Sequence, residues 1–257
     1  MTVLHLAIAG VRVDVDLAAL AGAAPAGLER YLRFEESTPG ARFTFTLQPG
    51  RAEPLGALVR RSEVDPAGRW VVPGCEADGR LDPRTGHGCA AARPGLDVLD
   101  VLLRAAVGTV VIEEGGFLIH GSSVAVDGRA YLFPAPSGSG KSTLARAAGH
   151  VLADELSVLR PDGEGFRALA TPWWMTGGGT APLAAVCAPR WDGEAVRWLP
   201  GTAFRRLAAN LVIPIDTPAA RAAALAAAAR AARGVRWGEL RFRPGSDVDA
   251  LLRAAWR

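Results

Sequence analysis

Lysine is almost missing from this chain of 257 residues: Lys141 is the only one, although lysine and arginine together number 29. The arginine bias itself reads as high-GC coding rather than physics, which makes the single retained lysine the sharper observation. Cysteine is also scarce. Cys75, Cys89 and Cys187 exclude a disulfide framework in a chain this long and fit a reducing, cytoplasmic compartment. Long apolar runs are absent. The most apolar stretch, Ala219 to Ala232, is interrupted by Arg221 and Arg230 and falls short of the roughly 18 residues a membrane span needs. The N-terminal MTVLHLAIAG has no basic start and no convincing cleavage site, so no signal peptide is expected. An excess of one charge sign is missing too. The net charge is +3, and the basic residues form no dense run, so neither nucleic acid nor a membrane surface is expected as a partner. What remains is 49% apolar and 21% charged, an ordinary globular balance that excludes disorder, collagen and coiled coil.

Two regions are expected. Residues 1–95 read as a smaller α+β region without a chemical signature. Val3 to Ile8 and Val11 to Val15 alternate around Gly10 as paired strands, Leu17 to Phe34 reads as a helix weakened by Gly22, Pro25 and Gly27, and Arg42 to Leu47 alternates again. Residues 49 to 96 read mostly as loop, with one short strand at Trp70 to Val72. Residues 96–257 have a different character. A helix is expected from Leu96 to about Ile112, then a short strand at Phe117 to His120. A hairpin follows from Ser123 to Phe133, turning at Asp127-Gly128, a favoured two-residue turn. A short strand at Val151 to Ala153 precedes a second hairpin over Pro161-Asp162-Gly163. Further on come a strand at Leu183 to Ala188, an Ala/Arg-rich helical region over 202–233, a strand at Val235 to Phe242 and a terminal helix from Asp247 to Trp256.

Between the first hairpin and its next helix stands Ala135-Pro136-Ser137-Gly138-Ser139-Gly140-Lys141-Ser142, followed by Thr143. It fits the phosphate-loop pattern G-x-x-x-x-G-K-[ST] except that Ala135 replaces the first glycine. Small residues let successive backbone N–H groups turn inward around an anion, and the next helix points its positive end at the same place. The lysine supplies a compact mobile charge for the β- and γ-phosphates, and the Ser142 hydroxyl is a magnesium ligand. A planar guanidinium fits such a cradle poorly, a physical reason for an arginine-using chain to keep one lysine here.

Two further features lie close by. His120-Gly121 ends the strand before the hairpin, and Asp154-Glu155 ends the strand after the loop's helix, 13 residues beyond Lys141. In a mixed α/β sheet, strand ends beside a phosphate loop face the ligand crevice. A carboxylate on the very next strand suits a kinase that keeps its base and metal ligand near the loop.

The stretch FLIHGSSVAVDGRAYLFPAPSGSGKSTLARAAGHVLADELSVLR resembles the catalytic core of the HPr serine kinase/phosphorylase family. More closely, it is similar to the HPr-kinase-related proteins found beside peptide-modifying enzymes in bacterial biosynthetic clusters. The shared features are the His-Gly pair, the Asp-Gly hairpin, the PSGxGKST loop and a downstream acidic pair, over roughly residues 115 to 190. The resemblance implies an α/β fold with α+β features: a mixed-sheet P-loop kinase core like that of HPr kinase and phosphoenolpyruvate carboxykinase. It implies ATP and Mg²⁺, a serine hydroxyl of a small protein or ribosomally made peptide as acceptor, and members that often assemble as homo-oligomers. Carried over, Lys141 binds the β- and γ-phosphates within a loop of Pro136, Ser137, Gly138, Ser139, Gly140, Ser142 and Thr143. Ser142, Asp154 and Glu155 hold the metal. Asp154 is the general base, and His120 orients it or tunes its protonation. The chain departs from HPr kinases proper in having Asp154-Glu155 for an Asp-Asp pair and Pro136 for an acidic residue. It also has a shorter helix before the acids and lacks the later signature in residues 189 to 257, so HPr as substrate and phosphorolysis are not carried over.

A small-molecule hydroxyl kinase on the same core, and a nucleotide-binding accessory protein, are the alternatives; the intact Lys141, Ser142 and Asp154 favour chemistry over the latter. Other candidates are weaker. Cys75, His87 and Cys89 match no standard zinc spacing. His5 and His150 have no evident partners. Trp173, Trp174 and Gly177 to Gly179 form either a substrate-facing lid or a core plug under a flexible loop. Arg205 and Arg206 offer a phosphate or acidic-peptide contact, or simply a solvated face.

Overall fold

The computed structural model describes residues 3–20, 26–37, 40–50, 62–72, 78–92, 96–173 and 177–256. It is a mixed α/β chain with two mixed sheets. Two units divide it, Met1–Val110 with Pro214–Thr217, and Val111–Ile213 with Pro218–Arg257. The division falls within helix α1 (Asp97–Glu113), whereas the change of character in the sequence falls at 95/96.

In the first unit β1 (Val3–Ile8) and β2 (Val11–Asp16) pair as a hairpin through Ala9 and Gly10, both at positive φ. β3 (Phe43–Pro49) runs parallel to β2 and to β7 (His87–Ala92). β6 (Gly79–Asp82), β5 (Trp70–Val71) and β4 (Glu63–Val64) complete the order β1-β2-β3-β7-β6-β5-β4. Alternation puts Leu4, Leu6, Val13, Val15, Phe45 and Leu47 in the core. Two expectations are corrected here. Residues 17–34 contain short 3-10 turns at Ala18–Leu20, Leu28–Arg30 and Leu32–Phe34 rather than an α-helix; Gly22 and Pro25 lie outside the described residues, and Gly27 adopts φ 93° directly before the second turn. The described residues of the segment read as loop hold three strands besides the one at Trp70. Glycine and alanine hide β6 and β7 from a pattern search, because GRLD and HGCAAA carry little apolar alternation.

Asp100 on α1 is buried, pairs with Arg30 at 2.8 Å and Arg104 at 3.8 Å, and accepts the Tyr31 hydroxyl. Burial pushes its carboxyl up to about 6 from 3.8, against the pull of Arg30 and Arg104. Between those values the folded chain holds a proton that the unfolded chain has lost. This group's contribution to stability is therefore full below about 3.8, falls as pH rises, and is lost above about 6. As pH is lowered from about 7 to about 4, the Tm of the parent should rise relative to Asp100→Asn, in which residue 100 does not titrate. A constant gap across that range would refute the assignment.

The second unit is built around β8 (Phe117–Val126), β9 (Arg129–Pro134), β10 (Val151–Ala153), β11 (Leu156–Asp162), β12 (Gly165–Leu169) and β13 (Thr180–Arg190). The strand expected at 117–120 and the hairpin's first strand are one continuous β8. Its first half pairs with β11 and its second with β9 and β10. β13 changes partners in the same way, from β12 to β9. The pairings β8-β11-β12-β13-β9-β8 thus close a ring. β16 (Arg236–Arg241) adds in parallel to β13, and β14 (Ala195–Trp198) pairs with β16. Helix α2 (Lys141–Ala147) and the terminal α5 (Val248–Trp256) contribute Leu144, Val248 and Leu252 to a core with Val124, Tyr131, Phe133 and Phe242.

The expected helical region over 202–233 is broken. α3 (Phe204–Ala208) stops before Asn210, β15 (Leu211–Val212) pairs with β8, and α4 (Pro218–Arg233) starts at Pro218, four residues after Pro214. A proline is tolerated in a helix's first turn but not in its interior, which explains the break. No helix among the described residues is long and apolar enough to cross a membrane.

Candidate functional site

β10 and β9 are both antiparallel to β8, while β9, β13 and β16 pair in parallel. β10, β9, β13 and β16 therefore run one way and end on one edge. Along that edge stand Asp154-Glu155, the loop of residues 135–140, Trp191 and Phe242, each just beyond its strand. Crevices outside the C-terminal ends of such strands are where ligands sit.

The loop leaves the core at Ala135, which is buried, and Pro136, Ser137 and Gly138 are exposed. Gly138 and Gly140 have φ 80° and 86°, a conformation other residues adopt at a penalty and one that turns successive N–H groups to the same side. Lys141 follows at once and is only 3% exposed. Its Nζ donates to the Pro136 carbonyl at 2.9 Å, where the Ser139 N–H also converges at 3.3 Å. Ser142 is half-buried and Thr143 exposed. Helix α2 spans seven residues. With only two turns its dipole is small, which leaves the backbone amides and the lysine as the loop's main positive groups.

Asp154 is 1% exposed, and its Oδ1 accepts the Glu155 N–H at 3.0 Å. Consecutive side chains on an extended strand point to opposite faces. Glu155 escapes this with φ 71°, a left-handed conformation unusual for a non-glycine residue. Both carboxylates then act on one cation. Burial pushes the Lys141 amine below its ordinary range, and Glu155 and then Asp154 pull it back up. Two motifs separate in sequence, the loop and the acidic pair, thus meet at one lysine.

His120 meets the acidic pair at its second member. Its Nε2 lies 2.9 Å from Glu155 Oε1, so its direct partner is Glu155, the residue next to Asp154. Both side chains of that pair are about a quarter exposed, at 24% and 23%. The backbone enforces the pairing, since Gly121 N–H donates to the Glu155 carbonyl at 3.1 Å. Glycine at 121 has a steric cause. A Cβ there would lie 2.9 Å from the Phe133 carbonyl oxygen and 2.9 Å from the Pro134 Cα. Gly121→Ala should force β8 from β9 next to the loop, lowering Tm by several degrees and any nucleotide affinity of the loop with it. Thermal unfolding and ATP titration of the variant check this; unchanged affinity would show that the loop does not depend on the close approach.

Two neighbours went unnoticed in the sequence. Asn210, the chain's only asparagine, closes α3 by donating Nδ2 to the Arg206 carbonyl at 2.8 Å. Its own carbonyl accepts the His120 N–H at 2.8 Å. Trp191, beyond β13, donates Nε1–H to the Ser139 carbonyl at 3.0 Å. The signal for Asn210 is its rarity; Trp191, an exposed indole before Asp192-Gly193, has no motif to mark it.

The weaker candidates separate. His5 pairs with Asp14 at 2.8 Å, and His150 Nε2 lies 2.8 Å from the Gly178 carbonyl, so both have partners after all. Trp173 is fully buried, the core plug rather than the lid, and Trp174 lies outside the described residues. Cys75 lies outside them as well; Cys89 and His87 share β7. Arg205 is exposed and Arg206 half-buried on α3, which leads into Asn210. Among the described residues no three His, Cys, Asp or Glu side chains form a ready metal cage. Magnesium asks for less, one or two carboxylates completed by phosphate oxygens and water, and Ser142, Asp154 and Glu155 meet that demand. No protein-family model matches the chain, and no curated protein matches it in sequence.

Proposed function

We propose that the chain is an ATP- and Mg²⁺-dependent kinase of the P-loop, HPr-kinase-like class. It transfers the γ-phosphoryl group to a hydroxyl, the serine of a small protein or ribosomally made peptide. The observation that carries the reading is the convergence at Lys141: the one lysine of the chain is buried behind a glycine-rich loop and held within the field of Asp154 and Glu155. Backbone amides of residues 137–142 and the Lys141 ammonium bind the phosphates. Ser142 and Glu155 hold the metal, which when bound supplies neutralisation of phosphate charge. Asp154 accepts the acceptor's hydroxyl proton as the oxygen attacks phosphorus and the bond to the β-γ bridging oxygen breaks, leaving ADP. A carboxylate suffices as base, because phosphoryl transfer asks mainly for positioning and charge stabilisation.

Accessibility favours a second assignment of the base within the same reaction. Asp154 is closed to solvent, whereas the Glu155–His120 pair is partly open and joins two groups able to carry a proton. The test of the kinase reading incubates the protein with Mg²⁺ and γ-labelled ATP, alone and with serine peptides and proteins encoded beside its gene. Label on a peptide serine, lost in Asp154→Asn, is the expected result. Tight ATP binding with no transfer to any peptide or protein would replace it with a metabolite acceptor or an accessory role.

A further inference from the structure

Trp191 sits where the rest of a nucleotide would have to go. The acidic pair and His120 stand on one side of the loop, at the ends of β10 and in the middle of β8. A γ-phosphate presented to them leaves the α-phosphate, ribose and base trailing across the loop toward the other neighbour of β9, which is β13. The residue just past the end of β13 is Trp191. Its indole lies directly on the loop. A Cβ at Gly140 would fall 2.0 Å from Trp191 Cζ2, so only glycine leaves room for the ring. The Nε1–H bond to the Ser139 carbonyl fixes one edge, and Phe242, fully buried beyond β16, packs on the ring with centroids 4.5 Å apart. Despite these three anchors Trp191 remains 44% exposed, the large aromatic among the exposed apolar side chains of the described residues. A core-filling tryptophan would bury that area; a platform leaves it open.

We infer that the exposed face of Trp191 is the stacking platform for the nucleobase of the bound nucleoside triphosphate. The inference rests on the kinase reading for the direction of the phosphate chain. An aromatic face anchored on two sides needs no reordering when a base lands on it, and stacking tolerates any base because each has a π face.

The experiment measures Kd by calorimetry for MgATP and for magnesium tripolyphosphate, which has the phosphates and no base, on the parent, Trp191→Ala and Trp191→Phe. Trp191→Ala should weaken MgATP by roughly 5- to 150-fold, the range of one aromatic stacking contact, and leave tripolyphosphate within about twofold. Trp191→Phe should keep most of the ATP affinity. Equal weakening of both ligands would make the indole a brace for the loop. Tightening of both would mean that it blocks the cradle, and no change in either that it contributes nothing; each of these overturns the platform. If the parent binds tripolyphosphate but ATP no better, the platform alone fails. If it binds neither, the phosphate loop itself is misread and the platform falls with it.

Discussion

Lys141→Ala should remove most nucleotide binding, raising the Kd for MgATP about 10- to 150-fold. That is the range for losing a charge-assisted contact worth roughly 1.5–3 kcal/mol. Phosphoryl transfer should fall further, because the ammonium also meets charge that grows in the transition state. Lys141→Arg is the sharper variant. The chain uses arginine for all its other strong bases, yet here the lysine is 3% exposed and its ammonium is turned onto the Pro136 carbonyl at 2.9 Å. A planar five-donor fork has no room to adopt that arrangement, so arginine should fail to restore binding although it restores the charge. Calorimetry with MgATP, beside circular dichroism to confirm folding, decides the matter. Parent-like affinity in either variant would remove Lys141 from the site.

The second large effect separates the two carboxylates. Asp154→Asn should keep MgATP affinity within a few-fold and lower kcat about 10²- to 10⁴-fold, the usual worth of a positioned general base. Glu155→Gln, by contrast, should shift the Mg²⁺ concentration needed for half-maximal rate, because it removes the proposed metal ligand and loosens His120, 2.9 Å away. Steady-state kinetics over Mg²⁺ and pH distinguishes these outcomes. If Asp154→Asn transfers phosphate like the parent while Glu155→Gln loses the rate and its dependence on pH, the base is the Glu155–His120 pair.

Much of this site was legible in the sequence because its parts are local. A phosphate loop needs small residues, a lysine and a hydroxyl in one short run, so residues 135–142 announce themselves. The Asp127-Gly128 turn and the strands on either side are equally local, and the structure holds them as expected. What the sequence hid depends on distant partners. His120 and Glu155 are 35 residues apart, and nothing in either segment says that the histidine reaches the glutamate rather than the aspartate beside it. That choice is made by one backbone angle at Glu155. Trp191 and Asn210 reach the site only because β13 lies beside β9 and β15 beside β8, pairings set by the closure of the strand ring. The helix expected over 17–34 and the loop expected over 49–96 failed for another reason, since weak apolar alternation leaves short strands and turns to be decided by tertiary packing.

The left-handed angle at Glu155 also sets durability against function. A non-glycine residue held there stores on the order of 1–2 kcal/mol that glycine would release. Selection for heat resistance alone would therefore drift position 155 toward glycine or asparagine and erase a carboxylate with it. Part of the fold's stability is given up at that residue, and any programme that hardens this protein has to leave it as it is.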